Sequence, residues 1–148
     1  MTERFETFTV LINRINRNIR KIKKQRMAEH DLSSAHVSCL YFLYLSENLT
    51  ATDLCERCEE DKATISRAVD FLETNGFLTC NTKSAKRYKS PLILTEKGKN
   101  VGKEITDKID LVLKDVSDCL TEEERIAFYR YLTTISDHLE RISDQGEI

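Results

Sequence analysis

The sequence predicts a mainly α chain with one small β-hairpin set among long helices. Three observations carry this reading. Apolar residues recur at three- and four-residue steps over long stretches near both ends of the chain. Between those stretches, a short helix, a tight polar turn and a second capped helix follow one another within residues 50–75. The period then changes at residue 77, where two short β-prone runs flank a basic tip.

Composition bounds the class. The chain has 148 residues, the size of one common domain, with 40% hydrophobic and 32% charged residues, as expected of a soluble globular protein. Four glycines and one proline argue for long helices and few turns. There is no apolar run long enough to span a bilayer, so no membrane segment is expected. MTERFETFTV lacks the basic and apolar regions of a signal peptide, so the expected location is cytoplasmic. Cys39, Cys55, Cys58, Cys80 and Cys119 make an odd count, which predicts reduced thiols.

The elements follow in order. Phe5, Phe8, Leu11, Ile12, Ile15, Ile19 and Ile22 draw one apolar stripe along a helix over 4–27, with Arg14, Arg17, Arg20, Lys21 and Lys24 opposite. Ser33 or Ser34 caps a second helix running to about Ser46, apolar on most sides and expected to be buried. Thr50 caps a short helix to about Cys58, with Leu54 turned inward. Glu59 to Lys62 form a polar turn, and Asp61 is placed to cap a helix from Lys62 to Asn75. Its inner stripe is Ile65, Ala68, Val69 and Leu72, and Gly76 supplies the left-handed residue that ends it. Phe77–Asn81 and Pro91–Leu94 are the strands of the hairpin, with Pro91 suited to a sheet edge. Thr95 caps a long helix whose inner face holds Val101, Ile105, Ile109, Val112 or Leu113, and Val116, slightly weakened by Gly98 and Gly102. Thr121 and Glu124 form a capping box for a last helix carrying Ile126, Phe128, Leu132, Ile135, Leu139 and Ile142.

The function-bearing region is 50–95. A short helix, a tight turn and a capped helix with a polar outer face make a helix-turn-helix, and the hairpin after it is a wing. The second helix is of a size to enter a major groove. Thr64, Ser66 and Arg67 are its candidates for base edges or phosphates, and Lys62 sits where the helix N-terminus meets a phosphate. The wing carries Lys83, Lys86, Arg87 and Lys89, with Tyr88 among them. Charge alternates in blocks: net +5 over residues 1–30, −6 over 31–61, +5 over 62–99 and −6 over 100–148. A nucleic-acid binder needs a basic face rather than a basic total, and 62–99 supplies one.

The stretch LTATDLCERCEEDKATISRAVDFLETNGFL followed by PLILTEKGK resembles the MarR family of bacterial regulators. The matching pieces include Leu49-Thr50, Asp53-Leu54, Asp61 to Arg67, Asn75-Gly76-Phe77 and Leu94 to Gly98, and the flanking helices agree in length and order. The resemblance implies a single domain over 1–148, with a winged helix-turn-helix lobe at 32–98 and a helical dimerisation region formed by 1–31 and 99–148. It implies a homodimer on a near-palindromic DNA operator, usually a repressor, with an effector crevice between the dimerisation helices and the lobe. The DNA-binding residues it supports are Lys62, Thr64, Ser66, Arg67, Lys86, Arg87 and Lys89. One departure concerns the wing, where Ala85-Lys86-Arg87 stands in place of an Asp-x-Arg pair.

Other features point elsewhere more weakly. Cys55-x-x-Cys58 has the spacing of a redox or metal motif, but no second pair stands at zinc-site spacing, and ordinary thiols are the plainer reading. A thiol-based oxidant sensor on the same fold, using Cys39 or Cys55 and Cys58, is the alternative function. His30, His36 and His138 show no ligand spacing, and no metal or other cofactor is expected. The basic run Arg14–Arg26 reads as the solvated side of its helix rather than a DNA contact. Tyr41, Phe42 and Tyr44 suit a core, with a ligand crevice as the other reading. No Ser/His/Asp set, phosphate loop or carboxylate pair argues for an enzyme.

Overall fold

The computed structural model describes residues 2–80 and 87–146, with the side chains of 7–80 and 88–146. Its helices are α1 (Thr2–Arg26), α2 (Ser34–Leu45), α3 (Ala51–Cys58), α4 (Lys62–Thr74), α5 (Glu96–Ser117) and α6 (Glu122–Gln145). Strands β1 (Leu78–Cys80) and β2 (Leu92–Leu94) lie between α4 and α5. Single 3₁₀ turns occupy Ala28–His30 and Arg87–Lys89. The chain divides into two compact units within α5, after Lys108. No helix among the described residues is long and apolar enough to cross a membrane.

Local chemistry sets the helix starts. Ser33, rather than Ser34, caps α2: its hydroxyl accepts from the His36 amide, while His36 Nδ1 accepts from the Ser33 amide at 3.0 Å. Thr50 and Asp53 form the same reciprocal box at α3, and Thr121 and Glu124 form it at α6. The His36 ring also stacks on Phe71, centroids 4.0 Å apart, and this burial lowers its pKa. Neither role is visible from the spacing of the histidines.

The core of the first unit lies among α2, α3, α4 and the hairpin. Leu40, Leu54, Ile65, Leu72 and Leu78 are all essentially inaccessible. Each contributes about 1.5–3 kcal/mol by leaving water. The expected stripe of α4 (Ile65, Ala68, Val69, Leu72) is buried in full. Helix α2 is buried only in part. Val37, Cys39, Leu40 and Leu43 are inside, whereas Tyr44 and Leu45 are exposed.

The strands pair antiparallel, Leu78 with Leu94 and Cys80 with Leu92. Pro91 stands just before β2 rather than in it. The next amide, Leu92 N–H, donates to the Leu49 carbonyl at 2.9 Å, so β2 has a partner on both sides.

Gly98 and Gly102, expected as mild weaknesses of α5, are sites of close approach. A Cβ on Gly98 would collide with the Phe77 carbonyl oxygen, and one on Gly102 would come within 2.9 Å of Tyr44 Cβ. Val101 and Ile105 of the same helix are buried. In the second unit, the expected inner faces are open: Val116 and Leu113 on α5 and Ile126, Phe128, Ile135 and Leu139 on α6 are all exposed, and no residue of α6 is buried. The stripe of α1 behaves alike at Ile12, Ile15 and Ile19. The periodicity is real, but these side chains stay exposed among the described residues.

The end of α1 is fastened to α5 by ions. Lys108 Nζ donates to Glu104 at 2.8 Å, to Glu29 at 3.3 Å and to the Arg26 carbonyl at 2.7 Å, and His30 Nε2 lies 2.9 Å from Glu104. Glu29, His30 and Glu104 bring three possible metal ligands together. The Lys108 ammonium already serves both carboxylates there. Its hydrogen bond, with the His30 contact beside it, holds the Glu104 pKa at about 2 against an ordinary 4.5.

Two outcomes follow from these contacts. Gly98→Ala should cost about 1–3 kcal/mol through overpacking, read as a lowered urea midpoint; an unchanged midpoint would mean that α5 can move off Phe77 freely. Because the Glu104 pKa is depressed on folding, its contribution is present above about 4.5 and lost as pH falls toward about 2. Glu104→Gln should therefore be less stable at neutral pH and lose less stability than the native chain across that window. Parallel acid denaturation curves would refute the clasp.

Candidate nucleic-acid interface

Helix α4 is presented by the turn before it. Glu59 adopts a left-handed φ of 52° and its amide turns back to α3 carbonyls, which ends α3 and swings the chain toward Asp61. Asp61 Oδ1 then accepts the Thr64 amide at 2.7 Å. That hydrogen bond holds the Asp61 carboxyl below its ordinary pKa range. The carboxylate thus fills part of the anion site that the helix N-terminus offers. A phosphate at this point would be met chiefly by the Lys62 side chain, not by the bare helix end.

The outward face of α4 carries the expected residues in two roles. Lys62 and Arg67 are exposed, and Thr64 is half-exposed. Arg67 Nη2 reaches the Thr64 hydroxyl at 3.5 Å, so the two side chains share one face a turn apart. Ser66 points elsewhere. Its oxygen accepts the Tyr88 hydroxyl at 2.9 Å. It is half-buried against the base of the wing, which makes it a fastening for the wing more than a free DNA contact.

Tyr88 is the residue that the candidate set lacks. It sits in the 3₁₀ turn Arg87–Lys89, between the basic tip and β2. Its hydroxyl binds Ser66, its carbonyl accepts the Thr52 hydroxyl at 3.2 Å, and Lys62 Nζ lies 4.4 Å from its ring centroid. One aromatic side chain thereby joins α3, α4 and the wing and holds a lysine over its face. Its place within a basic run is the only sign of it in the sequence. Lys89, next to Tyr88, is exposed. Lys86 and Lys83 lie outside the described residues, as does the side chain of Arg87.

On the other side of β2, a shallow pocket of about 390 Å³ opens between Leu43, Tyr44, Asn48, Leu92, Leu94 and Lys99. Of the aromatics considered for a crevice, Tyr44 lines it. Tyr41 and Phe42 pack edge-on against each other at 5.2 Å.

A capped helix with an exposed cationic face, set beside a two-stranded hairpin and carried on a short helix and a tight turn, defines a winged helix-turn-helix protein. Residues 30–83 match the model of the MarR family. That stretch is similar to the family, and the fold of the chain is shared with solved structures along most of its length. The structure of a Staphylococcus aureus MepR–DNA complex has a TM-score of 0.80 at 19% identity, covering 89% of this chain and 97% of that one. Staphylococcus aureus MarR in complex with salicylate and kanamycin gives 0.79 at 16% identity, over 95% of this chain and 94% of that one. A MarR-family transcriptional regulator from Silicibacter pomeroyi gives 0.71 at 25% identity, over 84% of each. No curated protein matches by sequence.

Tyr88→Phe should remove the bond to Ser66 while leaving the ring under Lys62. A loss of about 0.5–1.5 kcal/mol is expected in chemical unfolding, since a part-buried hydroxyl pair is worth that much. A variant as stable as the native chain would show that the wing base is held by its strands alone.

Proposed function

We propose that this chain is a cytoplasmic, sequence-specific DNA-binding transcriptional regulator, without catalytic activity, that acts as a homodimer on a near-palindromic operator. One observation carries the reading: Lys62, Thr64 and Arg67 share the outward face of a helix capped by Asp61, and the Tyr88–Ser66 bond holds the cationic wing base beside that face. In this reading α4 enters the major groove, Arg67 meets a base edge, and Lys62, Lys89, Lys86 and Arg87 meet phosphates. Ser66 contributes by holding the wing. The structurally similar MepR solved with DNA supports this use of the fold.

The homodimer is supported by the apolar side chains that one chain leaves uncovered, on α1 at Ile12, Ile15 and Ile19 and separately on α6 at Phe128, Ile135 and Leu139. Such exposure is a usual mark of a partner surface. Repression relieved by a small-molecule effector is supported by the similar MarR structure that holds salicylate and kanamycin. The pocket beside Tyr44 and Lys99 is one place in this chain with room for a small anion.

The test is a gel-shift titration with DNA from upstream of the chain's own gene, at two salt concentrations. Tight selective binding by two chains per site, weakening steeply with salt, is expected. Arg67→Ala should cost roughly 1–3 kcal/mol and relax preference at one base position. Lys89→Ala should weaken all DNA alike and reduce the salt slope by about one. Native affinity in Arg67→Ala would remove its base-reading role, and equal weak binding to random DNA under both salts would overturn the regulator itself.

A further inference from the structure

The first turns of α4 carry two pairs of side chains that meet different neighbours. Thr64 and Arg67, three residues apart, meet each other, with the Arg67 guanidinium reaching the Thr64 hydroxyl at 3.5 Å. Lys62 and Ser66, four residues apart and so one turn above the other, both meet Tyr88.

Tyr88 is itself held at two points. Its hydroxyl donates to the Ser66 oxygen at 2.9 Å, and its carbonyl accepts the Thr52 hydroxyl of α3 at 3.2 Å. The residue between these bonds is half-buried, and the Lys62 ammonium lies 4.4 Å from its ring centroid. Lys62 is exposed all the same, and one ring face does not use up the three N–H donors of an ammonium. A lysine on a bare surface samples many rotamers and loses that freedom when it meets an acceptor. A lysine already seated on a fixed ring has less to lose. The seat also sets where the charge stands. Asp61 fills part of the anion site at the start of α4, so an anion there needs a side-chain cation, and the Tyr88 ring fixes the place of that cation beside the turn Arg87–Lys89.

We propose that Tyr88 is a positioning residue for DNA binding: it seats Lys62 for one phosphate and, through Ser66, fixes the wing base against α4, so that helix and wing meet the backbone together. This role rests on the DNA-binding reading of α4. Tyr88 meets no base in it, and the Thr64–Arg67 pair is left to read sequence by itself. Loss of the ring therefore weakens every duplex alike and leaves the preferred sequence unchanged.

The test uses the full chain and reads the Lys62 seat twice. Without DNA, the ring current of Tyr88 should move the Lys62 ε-methylene proton resonances upfield of ordinary lysine positions, and Tyr88→Leu should return them. Ordinary positions in the native chain would overturn the seat, and this measurement still decides if Tyr88→Leu does not fold. With DNA, a random-sequence duplex is titrated over a series of salt concentrations. Lys62→Ala should lower affinity several-fold and reduce the salt slope by about one. Tyr88→Phe keeps the ring and should keep the slope, whereas Tyr88→Leu should lose most of what Lys62→Ala loses. Adding Lys62→Ala to Tyr88→Leu should then cost less than about twofold more. A double variant whose loss equals the product of the two single losses would overturn this role alone. A native chain that binds no duplex even at the lowest salt would overturn the regulator reading, and this role with it.

Discussion

The fold of the first unit depends on a backbone junction at Phe77. The end of α4 wraps there in two bonds: Gly76 N–H to the Glu73 carbonyl and Phe77 N–H to the Leu72 carbonyl at 2.8 Å, with Gly76 at a φ of 78°. This is a left-handed helix ending, and a side chain at Gly76 would strain it. The start of α5 is built onto the same three residues. Thr95 N–H donates to the Phe77 carbonyl, the Thr95 hydroxyl to the Gly76 carbonyl and Lys97 Nζ to the Asn75 carbonyl. Lys97 also lies over the Phe77 ring, and Gly98 passes where no Cβ fits. The orphan carbonyls at the end of α4 are thus satisfied by the start of α5, and the hairpin between them is closed at its base by the same contacts.

Charge works at a different range. The alternating blocks would suggest a chain of solvated faces, and many of these charges are solvated. Where two blocks meet, however, ions do structural work across long sequence separations. Glu29 and His30 meet Glu104 and Lys108, and Arg20 and Lys23 approach Glu60 and Cys58. Part of the basic run of α1 is therefore spent on the protein's own acidic segment. Lys23 in particular is half-buried, not solvated. The basic block at 62–99 differs, because Lys62, Arg67 and Lys89 are left exposed on one side of the lobe.

What could be read in advance follows the range of the forces involved. Caps are local, so Thr50, Asp61 and Thr121 were legible as helix starts within a residue. The α4 stripe was legible because its period and its burial agree. The partners of Tyr88 and His36 were not, since each contact joins residues 22 to 36 positions apart. Ser66 shows the limit well: it stands near the start of α4 as expected, yet its partner is the Tyr88 hydroxyl from the wing base. The glycines of α5 misled for the same reason. A propensity scale prices their cost within the helix, whereas Phe77 and Tyr44 set their value from outside it.

The long helices pose the opposite case, a pattern clear in sequence and unmet in the single chain. An isolated helix gains little in water from propensity alone and owes most of its stability to a buried face. The lobe provides that for α3 and α4 and for the first turns of α5. It does not do so for Ile12, Ile15 and Ile19 of α1, nor does the second unit for the apolar residues of α6. Helices of 25 and 24 residues thus carry open apolar stripes, the feature on which the proposed homodimer rests. Helix α5 itself runs unbroken from the Phe77 junction to Ser117, so its start is set by the Thr95 bonds and by the close approach of Gly98 to the Phe77 carbonyl.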